Sequence, residues 1–317
     1  MNLAPIVIFV YNRFNHTVKT IESLRENYLA KDSEIFIFSD ASKSNDDDIK
    51  VSEVRKYIKG IKGFKKVTIV EREENNGLAK SVITGVTDII NKYGKVIVLE
   101  DDLITSEYFL EYMNKSLDMY QNRTDIWSIS GYTPDIKIPQ EYIDEIYLTY
   151  RGCSWGWATW KDRWEKVDWD IIDYYTFKKD KIKVKQFNKS GTDLAPMLND
   201  QMEKRINSWA IRWVYNQYKQ GKCTVYPVRS LVKNIGMDMS GTHSIVTKKY
   251  EANLAKSIIT LNKDININND ILKEFKNIYD LNLIGYISIG IKKLGLYKPA
   301  RKIRNSMIKF LTIKSRR

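Results

Sequence analysis

The stretch from Lys95 to Leu103 constrains the fold more than any other part of the chain. It reads KVIVLEDDL, an apolar run that ends in three consecutive carboxylates, Glu100, Asp101 and Asp102. Such a run predicts a buried parallel strand, and open α/β sheets bind ligands at the carboxyl ends of their strands. Because adjacent anions repel one another, a divalent cation with a polyphosphate would neutralise them. A solvated acidic turn is the alternative that this stretch alone leaves open.

The first hundred residues repeat one pattern four times. Buried strands are predicted at 5–10, 34–39, 67–70 and 95–100, with a helical segment after each of the first three. This alternation favours an α/β fold with a doubly wound, mostly parallel sheet flanked by helices. Farther along, the lysine-rich residues 177–186 contain few apolar side chains. We expect an exposed loop there.

The net charge of +13 is concentrated at the carboxyl end. Residues 281–317 contain ten Lys or Arg and no Asp or Glu, which leaves +3 for residues 1–280. Apolar and basic residues alternate there at helical spacing, which favours binding to an anionic membrane surface. A solvated helix packed on the body would show the same pattern. Because the charge lies outside the predicted cleft, no nucleic-acid partner is expected.

Two features bear on the compartment. The chain has only two cysteines, Cys153 and Cys223, too few for a disulfide framework. Its amino terminus has no basic segment before the short apolar run at 6–10, so no secretory signal is predicted. We expect a cytoplasmic protein that is peripheral on the inner face of the cell membrane.

Several motifs occur in a fixed order along the chain. The first four are Tyr11-Asn12-Arg13, Ser39-Asp40, Asn75 to Lys80 (NNGLAK) and Glu100-Asp101-Asp102. Together they resemble the nucleotide-binding half of GT-A fold glycosyltransferases. The acidic triplet is similar to that of the N-acetylglucosaminyltransferases that start the branches of complex N-glycans.

A closer likeness is to bacterial sugar transferases of polysaccharide gene clusters. It rests on SWGWATW at 154–160, SWAIRW at 208–213, NIG at 234–236 and GTH at 241–243. The resemblance covers residues 4 to 245 and implies a GT-A domain at 1–260. Its nucleotide-binding half would be 1–104 and its acceptor half 105–260, with a linker and basic amphipathic helices at 261–317.

The resemblance also implies roles for individual residues on the donor side. Asp102 would bind Mn²⁺ or Mg²⁺ at the donor diphosphate, since both cations prefer oxygen ligands. Asp101 would hold the ribose or the donor sugar, and Asp40 would hydrogen-bond the base. His243 would contact the metal or the diphosphate. The remaining donor-binding candidates are Asn12, Arg13, Asn76, Gly77, Lys80 and Glu100.

On the acceptor side, Trp155, Gly156 and Trp157 would line the acceptor cleft, because aromatic faces stack on sugars. Core packing is the alternative, and it is the one we expect for Trp160 and Trp164. An inverting transferase needs a carboxylate as general base, yet Asn207 and Ser208 stand where relatives carry an Asp. The remaining acids are Asp200, which we favour, Glu203 and Asp238. This departure leaves inversion or retention open.

The expected function is therefore that of a metal-dependent glycosyltransferase. It would move a sugar from a nucleotide-sugar donor, with UDP as the default carrier, to a glycan or lipid-linked acceptor in surface polysaccharide synthesis. A sugar nucleotidyltransferase uses a similar sheet and metal, but it carries a glycine-rich loop after the first strand that is missing at 11–14. A non-catalytic protein that binds nucleic acid or carbohydrate is the third possibility, suggested by basic charge and tryptophans.

Overall fold

A computed structural model describes residues 2–237 and 250–293 of the chain. The strands are β1 (Ile6–Val10), β2 (Glu34–Ser39), β3 (Lys66–Glu71), β4 (Lys95–Glu100), β5 (Leu103–Thr105), β6 (Ile126–Ser130), β7 (Ile146–Thr149), β8 (Trp157–Trp160), β9 (Cys223–Pro227) and β10 (Val232–Asn234). The helices are α1 (Phe14–Arg25), α2 (Asn45–Ile58), α3 (Gly77–Tyr93), α4 (Phe109–Met119), α5 (Lys161–Trp164), α6 (Tyr174–Lys179), α7 (Lys181–Phe187), α8 (Leu194–Met202), α9 (Trp209–Lys219), α10 (Asn269–Tyr279) and α11 (Leu283–Lys293).

In the described residues, eight strands form one sheet in the order β3-β2-β1-β4-β8-β6-β9-β7, and β5 and β10 form a small second sheet. The strands from β1 to β4 are parallel, as predicted. β8 runs antiparallel to both β4 and β6, while β9 is parallel to β6 and β7 is antiparallel to β9. Six of the eight strands therefore share one direction, which confirms the mostly parallel α/β sheet.

The register of the parallel strands decides where the polar segments meet. Val10 pairs with Ser39 and Phe9 pairs with Glu100, so β1, β2 and β4 end side by side. The side chains of β1 are almost fully buried because helices cover both faces of the sheet. The segments that follow the three strands consequently lie together at one edge of the sheet.

The expectation of an exposed loop at 177–186 is wrong. This segment lies in α6 and α7, with the Asp180 side chain capping α7 through the backbone N–H groups of Ile182 and Lys183. Phe177 and Phe187 are buried in a cluster with α8 and α9. Buried Tyr174 and Phe177 anchor α6 and buried Phe187 anchors α7, which the low apolar content did not reveal.

Residues 269–279 pack against the sheet. α10 packs Phe275, which is fully buried, against Tyr147 and Tyr226 of the sheet. α11 follows it. No helix in the described part of the chain is long and apolar enough to cross a membrane. Asp238 and His243, together with residues 294–317 of the predicted basic tail, lie outside the described residues.

Candidate active site

Three charged residues meet at the carboxyl edge of the sheet. The Arg13 guanidinium, directly after β1, donates hydrogen bonds to Asp101 and to Oδ2 of Asp102, the latter at 2.8 Å. Asp101 and Asp102 are both buried. Their charges raise the pKa of Arg13, against the opposing effect of its burial. The structure therefore brings Arg13, Asp101 and Asp102 together, as the sequence motifs predicted.

The second oxygen of Asp102, Oδ1, is buried and has no hydrogen-bond partner among the residues that the structure describes. The chain also passes close to this side chain at Gly236, where an added Cβ would lie 2.1 Å from Asp102 Oδ2. The Ile235 N–H holds that segment in place by donating to the Asp102 carbonyl at 2.9 Å. Gly236 therefore leaves the space that the Asp102 carboxylate needs.

The buried, unpartnered Oδ1 fits a divalent cation, because a carboxylate oxygen is a ligand that Mn²⁺ and Mg²⁺ accept. Among residues 2–237 and 250–293, no group of three or more His, Cys, Asp or Glu side chains could hold a metal ion. Mg²⁺ is commonly held by one or two carboxylates, with substrate phosphates and water completing its shell. The Asp102 carboxylate is compatible with such a partial site, and metal binding by Asp102 stays a prediction.

Glu100 ends β4 just before the two aspartates. Burial raises its pKa to about 8, reinforced by the charges of Asp102 and Asp101, while Arg13 and a hydrogen bond with Trp209 lower it. Trp209 is the first residue of α9. Glu100 therefore connects the acidic cluster with the amino-terminal end of α9, in the acceptor half.

Asp40 follows β2 and holds the turn that starts α3. Its carboxylate accepts the backbone N–H groups of Asn76 and Gly77, each at 2.9 Å, and Asn75 Nδ2 donates to the Ala41 carbonyl at 2.6 Å. Gly77 has φ +69, a conformation that glycine adopts easily. Both Asp40 oxygens are thus used within the protein, and its contact with a nucleotide base stays a prediction.

Asp47 has a role that the sequence analysis missed. It accepts hydrogen bonds from Asn12 Nδ2 at 2.8 Å and from the Tyr11 hydroxyl at 3.0 Å. These bonds, Asn12's first, lower the pKa of Asp47. The acidic run 45–48 predicts only the start of α2, and nothing in it singles out one carboxylate. Lys80 lies on the first turn of α3 with its side chain exposed, and its contact with the donor stays a prediction.

The predicted acceptor residues separate into two kinds. Trp157 is 1% exposed, and its ring packs against Trp164, Trp209 and Trp213 at centroid distances of 5.1–5.8 Å. Because other indoles cover this ring, no face is available to a sugar. Trp157 must therefore be removed from the predicted acceptor site. Trp160 and Trp164 are buried, as expected.

Trp155 and Gly156 lie at the same edge of the sheet as the acidic cluster. Trp155 is half-buried and forms edge contacts with Tyr132 and Tyr250. Gly156 has φ +60, and a Cβ there would lie 2.7 Å from the side chain of Val232. The backbone therefore requires glycine at this point, and the acceptor roles of Trp155 and Gly156 stay predictions.

Asp200, the favoured general base, is buried near the end of α8. Its Oδ1 accepts a hydrogen bond from Arg205 Nε at 2.8 Å. The neighbouring Gln201 accepts the Ser208 N–H at 2.6 Å, which ties the end of α8 to the start of α9. The start of α9 therefore contacts both Glu100 of the nucleotide-binding half and Gln201, the neighbour of Asp200, in the acceptor half. Glu203 is more exposed and pairs with Lys178.

Residues 6–136 match the model of the family described as "Glycosyl transferase family 2". This segment of the chain is similar to that glycosyltransferase family. The matched segment contains Arg13, Asp40 and the acidic triplet, and the fold around them is the α/β fold expected for a GT-A transferase. The tryptophan segment, Asp200 and the GTH motif lie outside the match.

Solved structures resemble the chain only distantly. A mannosyltransferase from Pyrobaculum calidifontis, in complex with GDP-Man and Mn²⁺, is 16% identical over 51% of this chain and 48% of that chain, with a TM-score of 0.35. TarS residues 1–349 of S. aureus, in complex with UDP, is 11% identical over 73% and 59%, with a TM-score of 0.37. A UDP-glucose pyrophosphorylase complexed with UDP-glucose is 12% identical over 71% and 90%, with a TM-score of 0.35.

The chain thus spans less than two thirds of the mannosyltransferase and of the TarS fragment. Such low TM-scores carry no weight for the activity or the substrate. No curated protein sequence matches the chain.

Proposed function

We propose that the protein is a metal-dependent glycosyltransferase that uses a nucleotide-sugar donor, with UDP as the carrier. The single observation that carries this proposal is the cluster of Arg13, Asp101 and Asp102 at the carboxyl edge of the sheet, inside the segment that is similar to family 2. A buried carboxylate oxygen without a partner in the described chain lies at its centre.

The residues around the cluster divide the work of holding the donor. Asp102 would bind Mn²⁺ or Mg²⁺, which as a Lewis acid takes up negative charge on the departing nucleoside diphosphate. Arg13 adds a permanent positive charge at the same edge. Lys80 would contact the diphosphate from the first turn of α3, where the helix dipole also favours anions. Asp101, Asn12 and the turn that Asp40 holds would position the nucleoside.

The acceptor would enter from the side of α8 and α9. Trp155 would present an apolar edge to a sugar ring, and Asp200 would accept the proton of the attacking hydroxyl, which produces inversion at the anomeric carbon. The acceptor itself would be a glycan or a lipid-linked sugar of a surface polysaccharide. The basic segment 281–317 would keep the enzyme at the cytoplasmic face of an anionic membrane.

The test is calorimetric titration of UDP with and without Mn²⁺, followed by a screen of nucleotide sugars for slow hydrolysis. We expect Mn²⁺ to strengthen UDP binding at least tenfold, and Asp102→Ala to abolish that gain. Asp118→Asn is the matched control, because Asp118 pairs with Lys95 at the opposite end of β4. Full donor turnover in Asp102→Ala would refute the proposal. Pyrophosphate release from UTP and a sugar phosphate would assign a nucleotidyltransferase instead.

A further inference from the structure

Residues 171–189 form an exposed surface that combines lysines with apolar side chains. The segment contains six lysines against two aspartates. All six lysines are exposed. Between them, Ile172, Tyr175 and Ile182 are 85%, 70% and 71% exposed. We refer to residues 171–189 as the lysine surface.

The helices of this surface are fixed to the body by their opposite faces. Phe177 and Phe187 are buried, and the Tyr174 hydroxyl donates to Asn199 of α8 at 2.7 Å. Tyr175 and Ile182 consequently point away from the body. Exposed apolar side chains are favourable when another apolar surface covers them, and the lysines beside them attract negative charge. This side of α6 and α7 therefore suits a partner that is both apolar and anionic.

The charges of the surface are only partly neutralised within the protein. Lys178 pairs with Glu203 at 3.5 Å and Lys183 with Asp180 at 3.6 Å, while Asp173 pairs with Lys219. Within the described part of the chain, Lys179, Lys181 and Lys185 form no ion pair. Net positive charge therefore surrounds the exposed apolar side chains.

The lysine surface adjoins the start of the carboxyl-terminal segment. The Thr192 N–H donates to Asp280 at 3.0 Å, and the Leu281 N–H donates back to the Thr192 hydroxyl at 2.8 Å. α11 begins two residues later and exposes Leu283, Tyr286 and Ile287 at 76%, 53% and 54%. Two segments with exposed apolar residues are thus joined at one point, although they are far apart in sequence.

We propose that the lysine surface is a membrane-docking surface that binds anionic lipid together with the exposed apolar residues of α11. The inference rests on the proposed function and extends it, because α6 contacts α8, the helix that carries Asp200. The side of the protein that binds the acceptor would thereby face the bilayer. A lipid-linked acceptor would then reach Asp200 while its lipid stays in the bilayer. We expect the partner to be an anionic lipid surface and not a groove of another protein, because the exposed side chains project from two short helices.

The test uses the full chain and flotation with vesicles of equal phosphatidylglycerol and phosphatidylcholine, compared with pure phosphatidylcholine. The variant is Lys181→Glu with Ile182→Ser. Its matched control is Ile49→Ser with Lys50→Glu on α2, where Ile49 is 73% exposed beside an exposed lysine. One lysine near an anionic surface changes partitioning about fivefold. We expect at least a tenfold weaker partition for the α7 variant and less than a twofold change for the control.

Each outcome decides the proposal. If the α7 variant partitioned like the wild type, the proposal would be overturned and membrane binding would be left to residues 281–317. Equal losses in the α7 variant and in the α2 control would also overturn it. Unchanged vesicle binding together with weakened, salt-dependent RNA binding by the α7 variant would assign a nucleic-acid surface instead. Hydrolysis of a soluble nucleotide sugar should be the same in all three proteins, so a failed docking experiment and a failed glycosyltransferase assignment are distinguishable.

Discussion

Arg13 and Asp102 are joined through only one oxygen of the carboxylate. Arg13 Nη2 lies 2.8 Å from Asp102 Oδ2, whereas Oδ1 is buried without a partner in the described chain. The guanidinium neutralises part of the acidic cluster, and Oδ1 is the atom that we propose binds a cation. The charge balance of the site therefore depends on Arg13 when no metal is bound.

Replacing Arg13 with Gln should destabilise the protein and make its stability depend on divalent cations. Removing one partner leaves buried carboxylates uncompensated, at a cost of about 3–5 kcal/mol. Thermal melting with and without Mn²⁺ measures this, and the stabilisation by Mn²⁺ should be larger in Arg13→Gln than in the wild type. In the control, Arg25→Gln, both Arg25 and its partner Glu22 are about two fifths exposed, so the loss should be under about 1 kcal/mol and independent of Mn²⁺.

Gly236→Ala should weaken metal and donor binding. Its Cβ would lie 2.1 Å from Asp102 Oδ2 and 2.9 Å from the Arg13 guanidinium, so either the backbone or the carboxylate has to move. We expect at least tenfold weaker binding of UDP in the presence of Mn²⁺, measured by calorimetry. At Gly60 an added Cβ meets only a carbonyl oxygen at 3.5 Å. Normal UDP affinity in Gly236→Ala, with Gly60→Ala also normal, would show that Gly236 is not close-packed against the site.

Trp157→Ala should unfold at lower urea concentration, because the residue fills the core. Truncating a buried Trp costs about 3–5 kcal/mol, whereas half-buried Trp155 should cost less than about 2 kcal/mol. Urea denaturation gives both values. The KM for the acceptor tests which tryptophan contacts the acceptor. Trp155→Ala should raise this KM more than Trp157→Phe does. A stable Trp157→Ala protein with a raised acceptor KM would restore Trp157 to the acceptor site.

Glu100→Gln should remove a pH dependence of stability. The folded-state pKa of Glu100 is about 8, against an ordinary value of 4.5. Between these values the folded state binds the proton more tightly than the unfolded state, so wild-type stability falls as pH rises from 4.5 to 8 and then levels off. The difference in unfolding free energy between Glu100→Gln and wild type should therefore change with pH. It should favour the variant by on the order of 1–3 kcal/mol more at pH 8.5 than at pH 4.5. Parallel stability curves from urea denaturation across this range would contradict the expectation.

Asp200→Asn should lower kcat at least a hundredfold, because it removes the proposed general base while keeping its size. Donor KM should change less than threefold. Glu203→Gln is the control, since Glu203 is about half exposed and pairs with Lys178, and it should retain kcat within twofold. Steady-state kinetics with a nucleotide-sugar donor separate these outcomes. If Glu203→Gln lost activity and Asp200→Asn did not, the two roles would be exchanged.

The amino-terminal half was predictable because its signals are local. Each parallel strand is an apolar run with a polar exit, and parallel pairing requires the exits of β1, β2 and β4 to meet. The sheet therefore follows from the pattern, as does the neighbourhood of Arg13 and Asp102. The role of Asp47 was not predictable, because its partners Tyr11 and Asn12 lie 36 and 35 residues away and no pattern marks them.

The sequence by itself determined the kind of sheet, the edge that carries the acids and the similarity of residues 6–136 to glycosyltransferase family 2. Only the tertiary structure decided which residues are exposed. Trp157 is buried among other indoles, and both oxygens of Asp40 accept hydrogen bonds from a turn. The lysine-rich segment forms two helices that are anchored by buried phenylalanines. The physical reason is that strand pairing follows periodicity within one segment. Burial depends on which distant segments pack together, and residue type alone does not encode that.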